Sequence, residues 1–279
     1  MITPLISVLM TAYNREKYIA EAIESVLAST YQDFELIIVD DCSKDKTVEI
    51  ARKYEVQDSR VRVYVNEENL GDYPNRNKAA SYAKGKYLKY IDSDDSIYPH
   101  GLEILVNGME KFETCLLGIC SLPMSLESQY PILATSFKSN ELHFVHGIGV
   151  FSFGPLSAII RADYFKRVGG FSLERMVSDS KFWLKASLEG DLLLFQDGII
   201  WNRIHPGQEL RNVKDFFLSY KKIEKDHLGK LRIIFPILYS KALKRKNNYL
   251  LRILFTNILR FKLSSAFEVF KELLFFNFK

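Results

Sequence analysis

The chain has 279 residues, 47% hydrophobic, 26% charged and 13% aromatic, enough apolar material for a packed core and unlike a disordered or low-complexity chain. No run reaches the roughly 18 uninterrupted apolar residues of a membrane span, and Cys42, Cys115 and Cys120 lack the number and spacing of a disulfide framework or a zinc site. The net charge of +4 hides a division: residues 229–279 carry eleven Lys/Arg against Glu268 and Glu272, a net +9, which leaves −5 for residues 1–228.

Met1–Tyr13 has neither a basic leader nor a small-residue cleavage site, so no signal peptide is expected. Leu5–Met10 is an apolar run of strand length. From Glu16 to Leu27 the positions Ile19, Ala22, Ile23, Val26 and Leu27 recur at helical spacing. Phe34–Val39 predicts a second strand ended by Asp40-Asp41, and Ser43 is placed to cap a helix running towards Tyr54. Val61–Val65 predicts a third strand, Arg76–Ala83 a helix stopped by Gly85, and Tyr87–Ile91 a fourth strand leading into Asp92-Ser93-Asp94-Asp95. Residues 115–160 mix short apolar runs with Pro and Gly and predict strands and long loops. Helices are then expected over Ala162–Val168 and Ser178–Leu188, a strand over Leu192–Trp201, and basic helices after Asn212.

This alternation predicts an α/β fold, a mostly parallel Rossmann-like central sheet flanked by helices. Ligands in such sheets bind beyond the carboxyl ends of the strands, near a switch in strand order. Thr11-Ala12-Tyr13-Asn14, Asp40-Asp41 and Asp92–Asp95 all fall at those ends. In an extended chain Asp92 and Asp94 share a face. Hard divalent cations such as Mg²⁺ or Mn²⁺ take carboxylates together with substrate phosphates, so this cluster is a candidate metal–diphosphate site; an acidic turn capping the next helix is the competing reading. Asp41 can accept hydrogen bonds from a nucleoside, whereas Asp40 suits a turn. Tyr13 offers a π-face to a base and Thr11 a hydroxyl donor. Arg76 can neutralise phosphate or contact the base, or be a surface ion pair of small weight.

Ile6–Asn14, Phe34–Ser43, Asn69-Leu70-Gly71 with Arg76-Asn77, and Gly85–Asp95 together resemble the family 2 glycosyltransferases, over roughly residues 5–210. The resemblance implies a GT-A fold, a nucleotide-diphosphate-sugar donor, a divalent metal and an inverting displacement. The family's aspartate–any–aspartate motif falls on Asp92-Ser93-Asp94. Donor-binding positions are Thr11, Ala12, Tyr13, Asp41, Arg76, Asp92 and Ser93, with the base held by Thr11, Tyr13, Asp41 and Arg76. Asp94 is the metal ligand, His205 in Trp201–Gln208 is a second candidate, and Asp95 stands behind both. Val177–Trp183 aligns Asp179 with the catalytic base, although Ser178 replaces the usual Glu; a helix N-terminal cap is the plainer role for Asp179. Trp183 is expected to pack, and His143 and His146 have no assigned role.

The expected organisation is a GT-A domain over 1–211, with a donor half of about 1–97 and an acceptor half of about 98–211, followed by a basic amphipathic helical region over 212–279. A UDP-sugar is the favoured donor, and a glycan or lipid-linked saccharide of cell-surface polysaccharide synthesis the acceptor. A sugar-phosphate nucleotidyltransferase is disfavoured because no glycine-rich loop follows the first strand. A non-catalytic nucleotide-sugar binder is the other alternative, against which Asp92, Asp94 and Asp179 stand. The basic tail suits an anionic membrane surface, which would place the protein in the cytoplasm, peripheral on the inner face of the cell membrane. Helical packing on protein, including a second copy of the chain, is its competing reading. Dense Phe and Leu argue against a nucleic-acid partner.

Overall fold

The computed structural model describes residues 4–122, 129–205, 213–260 and 262–277. The chain forms two compact units, Met1–Ser136 with Val150–Val213, and Phe137–Gly149 with Lys214–Lys279. The expected boundary at 211/212, the segment Pro206–Gln208 and residues 1–3 lie outside the described residues.

The first unit is built on an eight-stranded sheet of order β3-β2-β1-β4-β8-β6-β9-β7. Its strands are β1 (Ile6–Ala12), β2 (Phe34–Asp40), β3 (Val61–Val65), β4 (Tyr87–Tyr90), β6 (Leu117–Leu122), β7 (Ile132–Ala134), β8 (Ala158–Arg161) and β9 (Leu192–Gln196). Strand β1 pairs in parallel with both β2 and β4, and only β8 and β7 run against the others. β1 and β2 are continuous apolar runs because helices cover both faces of the sheet. Helix α1 (Ile19–Leu27) buries the predicted stripe Ile19, Ala22, Ile23 and Val26.

Four local features differ from expectation. α2 (Thr47–Gln57) is served at its start by Asp45, whose Oδ1 accepts from the Thr47 N–H at 3.0 Å, while Ser43 donates its N–H to Asp40 Oδ1 at 2.8 Å. α3 (Asp72–Tyr82) starts ahead of Arg76, because Pro74 lies in the first turn, where no backbone N–H bond is lost. An unexpected helix, α4 (Gly101–Lys111), buries Leu102, Leu105, Val106 and Met109. The expected strand Leu192–Trp201 is broken at Gly198 (φ +84°) into β9 and β10 (Ile200–Trp201), which pairs antiparallel with β5 (Ser96–Ile97). That small pairing sets residues 202–205 beside the end of β4.

Beyond β8 come α6 (Ala162–Arg167) and α7 (Ser178–Glu189). Trp183 is fully buried among Phe171 and Phe182, its indole N–H donating to the Phe153 carbonyl at 2.8 Å.

The second unit consists of a π-helical turn (Glu141–His146), entered from α5 (Ser136–Asn140), and three helices, α8 (Val213–Ile234), α9 (Pro236–Leu259) and α10 (Leu263–Asn277). His227 Nε2 lies 2.7 Å from Asn140 Oδ1 and His143 Nε2 3.2 Å from the Tyr220 hydroxyl. Burial pushes both histidines down to about 3, so both are neutral struts. Lys246–Glu224 at 2.6 Å and Lys221–Glu272 at 2.7 Å tie the three helices together.

Candidate active site

The strand order turns at β1: β2 and β3 lie on one side, β4 on the other. The carboxyl ends of β1 and β4 therefore flank the switch point where an open α/β sheet takes its ligand. Thr11 and Ala12 end β1, and Tyr13 follows with its ring 45% exposed. The loops after β1 and β2 are stitched together. Asp41 N–H donates to the Ala12 carbonyl at 2.8 Å, Asn14 N–H to Ser43 Oγ at 2.8 Å, and Lys44 N–H to Asn14 Oδ1 at 2.8 Å. Asn14 and Cys42 both take left-handed backbone (φ +52° and +65°) within these turns.

The buried Asp41 carboxylate accepts three internal bonds, from Asn66 Nδ2 and the Leu70 N–H at Oδ1 and from the Gly71 N–H at Oδ2, all at 2.8 Å. It fixes the loop that launches α3, where Gly71 has φ +85°. These bonds use three of the roughly four lone-pair sites of the carboxylate.

Arg76 projects from α3 and is almost wholly buried. Its Nε donates to Asp72 Oδ1 at 2.7 Å, and its Nη1 stands 2.7 Å from Asp92 Oδ1. The second contact is an ion pair without directed hydrogen-bond geometry, which leaves that N–H and oxygen otherwise unsatisfied. Two acids outweigh burial and hold the guanidinium pKa above its ordinary value. Ser93 is buried between Asp92 and Asp94.

Asp94 Oδ2 accepts from Arg15 Nε at 2.8 Å and lies 3.0 Å from His205 Nε2. The His205 ring packs on Tyr18, centroids 4.7 Å apart. Asp95 points elsewhere: its Oδ1 accepts the Arg203 N–H at 2.8 Å, and burial, helped by the charges of Asp92 and Asp94, pushes its carboxyl up to about 7. Among the described residues no group of three or more His, Cys, Asp or Glu surrounds one point. The Asp94–His205 pair nevertheless fits a cation that also uses phosphate and water. These two side chains would hold the cation, and in this structure they are hydrogen-bonded to each other.

Asp179 enters from the first turn of α7, with Oδ1 accepting the Ser180 N–H at 2.6 Å. Burial drives its carboxyl up to about 6, against the pull of that N–H, the Tyr73 hydroxyl and the Arg76 charge. Arg76 thus acts electrostatically on both Asp92 and Asp179. Ser178 is locked instead on the neighbouring loop, its hydroxyl donating to the Ser172 carbonyl at 2.8 Å.

Three side chains of the site were not anticipated. Arg15 occupies Asp94; Tyr73 backs Asp179; Arg203 donates Nε to the Asp94 carbonyl at 2.9 Å and pairs with Glu21 at 2.6 Å. Tyr18, Trp201, Asn202, Arg203, Ile204 and His205 line a cavity of about 500 Å³. Arg15 directly follows the first motif segment and Arg203 lies inside the last, but nothing in the spacing of the sequence tells which acid each will meet.

Residues 7–167 match the family described as Glycosyl transferase family 2. The chain belongs to that family. This family 2 glycosyltransferase is 28% identical over 249 residues to TuaG of Bacillus subtilis (strain 168), named for teichuronic acid biosynthesis, covering 87% of this chain and 98% of that protein. It is 44% identical over 109 residues, 38% of each chain, to the uncharacterized glycosyltransferase MJ1057 of Methanocaldococcus jannaschii. The fold is the GT-A architecture of S. aureus TarS 1-349, solved with UDP-GlcNAc: the TM-score is 0.64 at 23% identity over 80% of this chain and 66% of that one. The mannosyltransferase PcManGT from Pyrobaculum calidifontis, solved with GDP-Man and Mn²⁺, aligns with a TM-score of 0.57 at 17% identity over 87% of this chain and 70% of that one.

Proposed function

We propose that this glycosyltransferase transfers a sugar with inversion from a nucleotide-diphosphate-sugar, a UDP-sugar by preference, to a hydroxyl of a glycan or lipid-linked acceptor at the cytoplasmic face of the membrane, in polysaccharide synthesis. The observation that carries the reading is Arg76, which stands 2.7 Å from Asp92 after β4 and whose charge also acts on the buried Asp179 carboxylate of α7.

Tyr13 stacks on the base, with Thr11 and the backbone at Ala12 beside it; Asp41 takes a ring N–H, and Asp92 and Ser93 meet the ribose. Asp179 removes the proton from the acceptor hydroxyl as its oxygen attacks the anomeric carbon. The bond from that carbon to the diphosphate oxygen breaks in line, and the nucleoside diphosphate leaves with the electron pair. A pKa near 6 leaves Asp179 ionised yet basic at neutral pH. Mn²⁺ or Mg²⁺ would be held by Asp94 and His205, while Asp95 is turned onto the Arg203 N–H; the ion when bound supplies positive charge against the diphosphate. UDP-GlcNAc in TarS supports the uridine preference, and GDP-Man with Mn²⁺ in PcManGT supports the metal.

The test is a panel of nucleotide-sugars screened by thermal shift with Mn²⁺, followed by slow donor hydrolysis. Stabilisation grows as the logarithm of ligand concentration over its dissociation constant. The expected result is one nucleotide-sugar that raises the melting temperature and releases nucleoside diphosphate; binding without any release would make the chain a non-catalytic binder.

A further inference from the structure

We propose that the outward faces of α9 and α10 dock the protein on an anionic lipid bilayer. The proposal goes beyond the sugar-transfer reading and rests on it only for the purpose of such docking, the approach to a membrane-borne acceptor.

Each of the two helices carries a buried face and a separate exposed apolar stripe. In α9 the buried face runs through Leu238, Ala242 and Leu250, and in α10 through Ala266 and Phe276. The exposed stripes are Leu251, Phe255, Ile258 and Leu259 on the far side of α9, and Leu263, Phe267, Phe270 and Leu274 beside the buried face of α10. The spacings i, i+4, i+7 and i+8, and i, i+4, i+7 and i+11, put each set along one side of its helix. All eight side chains are exposed, Phe255 at 66% and Phe267 at 57%. Helix α9 packs on α10, so the unit carries both stripes. Scattered exposed apolar residues are ordinary, but two such stripes on neighbouring helices are a contiguous surface that wants a partner.

Charge selects the partner. Residues 229–279 total +9, and in α9, which has no acid, Lys246 is taken up by Glu224 and Arg245 reaches the Phe144 carbonyl, while Lys241, Lys244 and Arg252 are exposed. A second copy meeting this surface face to face would set Lys241, Lys244 and Arg252 against the same three cations. An anionic bilayer meets the same Lys and Arg with opposite charge while taking Phe and Leu into its interface. Among the described residues no helix is long and apolar enough to cross a membrane, so the geometry is that of helices lying in the interface plane.

The test uses the full chain, sedimented with vesicles of phosphatidylcholine alone or of equal parts phosphatidylcholine and phosphatidylglycerol. Wild type should co-sediment with the anionic vesicles and at least about tenfold less with the neutral ones. The double variant Phe255→Gln/Phe267→Gln, changed only at exposed positions, should lose about tenfold in vesicle binding while keeping its melting temperature and its thermal shift with UDP. No vesicle binding by wild type, equal binding to both lipids, or undiminished binding by the double variant overturns the proposal. So does a lipid-free dimer that the double variant converts to monomer, since the face would then be an interface between copies. Nucleotide-sugar binding and hydrolysis are read separately, so failure here leaves the transfer reading standing.

Discussion

Arg15 Nε and His205 Nε2 meet the same oxygen, Oδ2 of Asp94, at 2.8 and 3.0 Å. The guanidinium sits where a divalent cation would draw on that carboxylate, so cation and Arg15 compete for one acceptor. Arg15 is about a quarter exposed, which limits such a pair to about 0.2–1 kcal/mol. Arg15→Gln should therefore tighten Mn²⁺ binding in the absence of donor by up to about fivefold. Titration of Mn²⁺ followed by its electron paramagnetic resonance signal measures this; unchanged affinity would mean that the two do not compete.

Asp94→Ala is expected to abolish the Mn²⁺-dependent part of donor binding in calorimetry. The variant removes the one carboxylate oxygen that both Arg15 and His205 reach. Donor affinity that responds to Mn²⁺ as in wild type would exclude Asp94 as a ligand.

Asp41→Ala tests the loop rather than the chemistry. It strips an acceptor from the Leu70 and Gly71 N–H groups and from Asn66. Leaving buried donors unpaired should cost about 2–4 kcal/mol, read as a lower urea midpoint with the slope unchanged. Donor binding should weaken as well, because the same loop launches the helix that carries Arg76.

Asp179 carries a pH signature. Its folded pKa, about 6, lies above the ordinary 3.8, so between these values the folded state binds more protons than the unfolded one. Stability contributed here is present below pH 4 and is lost as pH rises to about 6; above that, the buried carboxylate costs about 3 kcal/mol at most. Asp179→Asn should accordingly melt higher than wild type at pH 8 and close to it at pH 4. A base with this pKa also predicts that kcat/KM falls about tenfold per pH unit below 6. A flat profile from pH 5 to 8 would argue against the assignment.

β1, β2 and β4 were legible because each is buried along nearly its whole length, and β2 and β4 run into acids at the ligand end, whereas β3 alternates buried and exposed residues. Helix α4 was legible in principle from Leu102, Leu105, Val106 and Met109, but Gly101 and Gly108 disguise it. Gly108 is there for packing: a Cβ would stand 2.6 Å from the Phe195 ring. The break at Asp197-Gly198 was a turn signal read through by the apolar residues around it. β8 owes its place to antiparallel pairing with β4 and β6, contacts far apart in sequence that no local pattern encodes. At the site, the positions of the acids followed from the strand ends, but the pairings Arg15–Asp94 and Arg76–Asp92 did not, since each joins loops or helices brought together only by the fold.

The proposed role of Asp179 is to act on the acceptor and not on the donor. Single-turnover sugar transfer and donor binding, measured side by side for wild type and Asp179→Asn, test it most directly. The expected result is a loss of roughly 10²–10⁴-fold in transfer, with donor affinity changed by no more than about twofold. Equal loss of transfer and binding, or transfer that survives the substitution, would contradict it.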